Sequence, residues 1–102
     1  MADLLSELKT VQAKVTDALQ AAEHDSDASP VLLAVVREFA SKAGKATGDP
    51  GRDAVIELEQ AGDSAKAAAE ADSGAGARTR ELVLDAHLAI CMLKATGSTT
   101  GG

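Results

Sequence analysis

His87 and Cys91 are the residues whose types and spacing come nearest to chemistry in this chain. They stand four apart, so on a helix they share a face, where an imidazole nitrogen and a thiolate can hold one metal ion. Glu81 and Asp85 lie close by in the sequence. A closed site, however, takes about four donors. The one other histidine is His24, in a distant loop segment, and Cys91 is the sole cysteine. The count therefore predicts no metal and no cofactor, with His87 a partly buried histidine beside a core thiol. A Cys–His nucleophile would further need an electropositive setting and an oxyanion hole, and nothing in this acidic chain points to either. Asp53 with Glu57 and Glu81 with Asp85 are carboxylate pairs at helical spacing. Two-metal bundle sites add Glu-x-x-His motifs on facing helices, and the sequence has none. These acids read as a solvated face, and the chain is not expected to be an enzyme.

Gly62-Asp63-Ser64 resembles the Gly-x-Asp-Ser-Leu site of acyl carrier proteins, which are also small, acidic four-helix domains. The resemblance covers a few residues and implies Ser64 as the attachment point of a phosphopantetheine arm. The sequence departs from the motif in three ways: Ala65 replaces the large apolar residue after the serine, the glycine directly precedes the aspartate, and the serine lies inside an alanine-rich helix pattern rather than at a helix start. An acyl-carrier-like or ligand-holding bundle is accordingly an alternative function.

Composition narrows the classes. The chain has 102 residues, a net charge of −6, one aromatic (Phe39) and 45% apolar residues, of which about half are alanine. A single domain of this length can bury a core without staples. Alanine supplies little area, though, and stabilisation scales at about 25 cal/mol per Å² buried. Oligomerisation would help such a chain. The acidic balance argues against nucleic acid and against an anionic membrane surface as partners. Met1-Ala2-Asp3 begins nothing like a secretory signal, and the longest apolar run, Leu82 to Leu93, is interrupted by Asp85 and His87 and is too short to span a bilayer. Cytoplasmic residence is the expectation.

Three polar, glycine- or proline-bearing gaps divide the chain: His24–Ser29, Gly48–Gly51 and Asp72–Gly76. The segments between them predict an all-α fold, a four-helix up-down-up-down bundle with helices at about 3–23, 30–46, 50–71 and 77–95. In the first segment Leu4, Leu8, Val11, Val15, Ala18 and Ala22 form one stripe, with Asp3 as a cap. Ser29-Pro30 is a cap followed by a residue suited to the first helical position, and Asp49-Pro50 repeats that grammar. The third segment carries an alanine stripe interrupted by Gly62, which is costly inside a helix and marks a site for a kink. Gly97 is the expected stop of the last helix. The domain is assigned to residues 1–97 and a disordered tail to 98–102. Net charges of −4, +2, −5 and +1 over residues 1–28, 29–48, 49–76 and 77–102 alternate in sign. In an up-down-up-down ring this places each acidic helix between two basic ones.

The fourth segment is apolar around most of its circumference. A helix greasy on all sides should be buried on all sides, but a bundle helix keeps a solvent face. One stripe, Leu82, Ala86, Ala89 and Leu93, or the other, Leu84, Leu88 and Cys91 or Met92, is expected to face the core. The remaining stripe would face a partner. The interface assigned from sequence is Leu84, Leu88, Cys91 and Met92. The expected function is a non-enzymatic helical interaction module, an adaptor, regulator or assembly subunit. It would pair with a second copy, as a dimer, or with another helical protein. A further alternative is an acidic decoy that occupies a nucleic-acid-binding surface on a partner protein.

Overall fold

The computed structural model describes the backbone of residues 3–100 and the side chains of residues 3–95. Four helices follow one another: α1 (Leu4–His24), α2 (Pro30–Gly48), α3 (Arg52–Ala71) and α4 (Ala77–Thr100). No strand occurs among the described residues. Each helix packs on two neighbours, α1 on α2 and α4, α3 on α2 and α4, so the fourth closes the ring on the first. The rod measures 42 × 20 × 20 Å. This is the four-helix bundle that the periodicity predicts.

The helix starts follow local chemistry. Asp3 accepts a hydrogen bond from the Ser6 N–H at 2.8 Å, and Ser29 accepts from the Leu32 N–H at 3.1 Å with Pro30 in the first turn. The third start differs from the Asp49-Pro50 reading. Asp49 closes α2 by donating its N–H to the Lys45 carbonyl at 3.0 Å, α3 begins at Arg52, and Gly51 is the residue preceding it, with no side-chain cap. The α4 stop also differs. No described glycine takes the left-handed conformation that closes a helix, and α4 passes through Gly97 to Thr100. The tail assigned to 98–102 thus begins within this last turn and ends on residues 101 and 102, outside the described residues.

Gly62 does not kink α3, which is continuous. It faces the core, where a Cβ would lie 3.1 Å from Phe39 Cζ and 3.3 Å from Ile90 Cγ2. The missing side chain is what admits the one aromatic ring into an otherwise alanine-rich seam. The largest fully buried side chains of the core are Phe39, Leu8, Leu32, Leu58 and Ile90.

The two hairpins repeat one pattern at a shift of 47 positions, the separation of Asp25 and Asp72. Leu8, Val11, Val15, Ala18 and Ala22 of α1 correspond to Val55, Leu58, Gly62, Ala65 and Ala69 of α3, and all are buried. Leu32, Val36, Phe39, Ala43 and Ala46 of α2 correspond to Thr79, Val83, Ala86, Ile90 and Leu93 of α4, again all buried. Even the loops match. Asp25 terminates α1 and Asp72 terminates α3. Asp25 Oδ2 accepts from the Gly76 N–H at 2.8 Å and the Thr79 hydroxyl at 2.9 Å, while Asp72 Oδ2 accepts from the Ser29 N–H at 2.7 Å. Each carboxylate thus reaches across to the residue that opens the other hairpin's second helix. The repeat supplies an internal control: where matched positions outside the buried core differ, the shared packing of the bundle does not demand the difference.

Candidate functional site

The structure resolves which stripe of α4 faces inward. Val83, Ala86, Ile90 and Leu93 are buried, with Leu82 and Ala89 packed against them. The opposite side carries Leu84, Leu88 and Met92, spaced four residues apart and so aligned along the helix. Leu84 is half-buried, whereas Leu88 is 55% and Met92 62% exposed. Of the described large hydrophobic residues, only Leu5 and Val31 are otherwise exposed.

The internal repeat shows how unusual this face is. Leu84, Leu88 and Met92 of α4 correspond to Arg37, Ser41 and Lys45 of α2, all three exposed and polar. Position for position, one hairpin presents charge and hydroxyl to solvent and the other presents hydrocarbon. The packing requirements of the bundle are the same in both, so the apolar outer face of α4 is an addition to the fold.

Cys91, the fourth residue of the sequence-assigned interface, sits at the edge of this face and turns toward α3. There it meets a cluster that the sequence reading held only in part. His87 Nε2 donates to Asp63 Oδ1 at 2.7 Å, and Cys91 Sγ lies 3.4 Å from the same nitrogen. The donor atoms of Asp63, His87 and Cys91 all lie within 4.8 Å of one another. His87 is largely enclosed, with 16% of its side chain exposed, while Asp63 is open to solvent. Burial first, and then the carboxylates of Glu59 and Asp63, push the Cys91 thiol above its ordinary value. A thiol held protonated at neutral pH is a poor nucleophile.

Asp63 is the member missed from sequence. Its signal lies in hairpin register: Asp63 and His87 each stand twelve residues from Ala75, in the α3–α4 loop. An antiparallel pair joined by that loop must bring them level. The same seam holds Lys94 against Glu59 at 2.7 Å, and that ion pair raises the affinity of Lys94 for its proton, through the hydrogen bond first and the charge second.

Ser64 is exposed in the middle of α3, well away from the helix start at Arg52. Open grooves lie elsewhere. One joins Lys42, Lys45 and Arg52 with Asp49, Asp53 and Glu57, and another runs beside His24, Asp25 and Arg78. Both mix charges of either sign, and among the described residues neither gathers three His, Cys, Asp or Glu donor atoms as the α3–α4 seam does. No helix is long and apolar enough to cross a membrane among the described residues. Comparison with protein-family models, with curated proteins and with solved structures finds no match to this chain.

Proposed function

We propose that this protein is a non-enzymatic helical interaction module that self-associates through the outer face of α4. The observation that carries the reading is the replacement of Arg37, Ser41 and Lys45 by Leu84, Leu88 and Met92 at matched positions of the repeat. Exposing Leu88 and Met92 to water is unfavourable, and covering each would recover about 1–2 kcal/mol.

A second copy suits this face because the face is symmetric about its middle. Leu84 and Met92 flank Leu88 at equal spacing. An antiparallel pairing about a two-fold axis at Leu88 sets each Leu88 on its counterpart and each Leu84 on Met92 of the second copy, a self-complementary contact. The face is small. Stable interfaces bury about 800 Å² per partner, and three side chains supply a fraction of that. The expected dimer is therefore weak, with a dissociation constant in roughly the micromolar to millimolar range.

Sedimentation across a concentration series tests the reading. The wild type should shift from monomer toward dimer as concentration rises. Leu88→Glu should weaken that self-association at least about tenfold, because it buries a charge in the contact, while leaving the helical circular dichroism unchanged. A wild type that stays monomeric at millimolar concentration would defeat self-association.

A further inference from the structure

The cluster on the α3–α4 seam is a donor set of mixed type, drawn from two helices and assembled only by folding. Its three atoms are a carboxylate oxygen of Asp63, the Nε2 of His87 and the thiol sulfur of Cys91. We infer that Asp63, His87 and Cys91 form a binding site for a borderline-soft divalent cation of the zinc class, with the fourth coordination position open.

The distances fit. Metal–ligand bonds of about 2.0–2.3 Å in a tetrahedron separate neighbouring donor atoms by roughly 3.3–3.6 Å. Cys91 Sγ and His87 Nε2 already stand 3.4 Å apart. His87 Nε2 and Asp63 Oδ1 stand 2.7 Å apart, joined by a hydrogen bond. Seating an ion there breaks that hydrogen bond: the ring keeps its proton on Nδ1 so that Nε2 can ligate, the thiol proton goes to solvent, and Asp63, whose side chain is 63% exposed, moves outward. His87 and Cys91 are held by the helix, four residues apart on α4. Thiolate and imidazole together favour zinc-class ions over magnesium or calcium, which take oxygen donors.

The repeat again acts as a control. Asp63, His87 and Cys91 correspond to Thr16, Ala40 and Gly44 in the first hairpin. At those three positions the first hairpin carries no strong metal donor. The donors in the second hairpin are thus not required for packing. This inference stands apart from the self-association reading, since it uses the α3–α4 seam and needs one copy of the chain.

Cobalt(II) binding to the untagged protein tests it. Expected is one ion per chain, with the visible absorption of tetrahedral cobalt and a near-ultraviolet thiolate-to-cobalt charge-transfer band. Zinc should displace the cobalt and raise the melting temperature, since binding the native state alone stabilises it. Cys91→Ser should abolish the charge-transfer band. Asp63→Asn should weaken binding about tenfold and His87→Ala about a hundredfold, by loss of one of three ligands. Thr16→Ala, at the matched position, should change neither. Absence of the charge-transfer band in the folded wild type at millimolar cobalt would overturn the site. So would binding that persists undiminished in His87→Ala, because the ion would then sit elsewhere.

Discussion

At the scale of single residues, the pairing of Gly62 with Phe39 shows how a position that looks like a helix defect can serve the core. Alanine at Gly62 would gain up to about 1 kcal/mol of helix propensity. The added methyl, however, would crowd the Phe39 ring and Ile90, and overpacking costs about 1–3 kcal/mol. Gly62→Ala should therefore destabilise by about 1 kcal/mol in chemical denaturation. In a Phe39→Leu background the same change should become neutral or stabilising, because the ring that crowds it is gone. Phe39→Ala alone should cost about 3–5 kcal/mol, as it empties the largest fully buried site. Equal effects of Gly62→Ala in both backgrounds would show that the two residues do not depend on each other. From sequence, Gly62 reads as a site for a kink, because propensity is local and Phe39 lies on another helix. The same limit hid Asp63, whose meaning depends on the level at which α4 returns past α3.

At the scale of elements, the helices were legible because their stripes and caps are local. Asp3, Ser29-Pro30 and the α1 stripe from Leu4 to Ala22 each carry their signal within a few residues. The start of α3 was less legible, because Asp49-Pro50 has the grammar of a helix start while Asp49 closes α2. Loop-to-loop contacts were not legible at all. Asp25 and Asp72 cross between hairpins, and each carboxylate is held below its ordinary range, chiefly by a backbone N–H: that of Gly76 for Asp25 and that of Ser29 for Asp72. A carboxyl with a depressed folded-state value stabilises fully above its unfolded value and loses that contribution as pH falls through the folded one. Thermal melts should thus show a melting temperature that drops with acidification below about pH 4. The combined Asp25→Asn and Asp72→Asn variant should melt lower at neutral pH and show a flatter acid limb. An unchanged acid limb would mean the two carboxylates do not anchor that end of the rod. Thr79→Val, which keeps the shape of a buried side chain but removes the hydroxyl that Asp25 accepts from, should also lower the melting temperature at neutral pH.

At the scale of the whole molecule, the alternation of charge along the chain becomes a set of cross-helix pairs on the α1–α2, α2–α3 and α3–α4 seams. Arg37 meets Glu23, Lys42 meets Glu57 and Lys94 meets Glu59, each a base on α2 or α4 facing an acid on α1 or α3. Pairs this exposed contribute little to stability, and their consistent direction bears on which helices become neighbours. The melting temperature should accordingly change little between low and moderate salt. The repeat of the two hairpins escaped sequence reading because its clearest identities, Ala-Ala-Glu before each loop and Asp-Ser within it, are short and common residues. Elsewhere the repeat preserves burial and changes the side chain: Phe39 answers to Ala86, Ala43 to Ile90, Leu32 to Thr79. Only the fold shows that these are matched places, and only then does the contrast between the polar outer face of α2 and the apolar outer face of α4 emerge. The most direct measurement of what that contrast means is a dilution series of amide nuclear magnetic resonance spectra. Self-association through α4 predicts concentration-dependent shifts gathered at residues 84–92, with α2 residues 37–45 unmoved. Shifts absent at every concentration, or centred on α2, would contradict it.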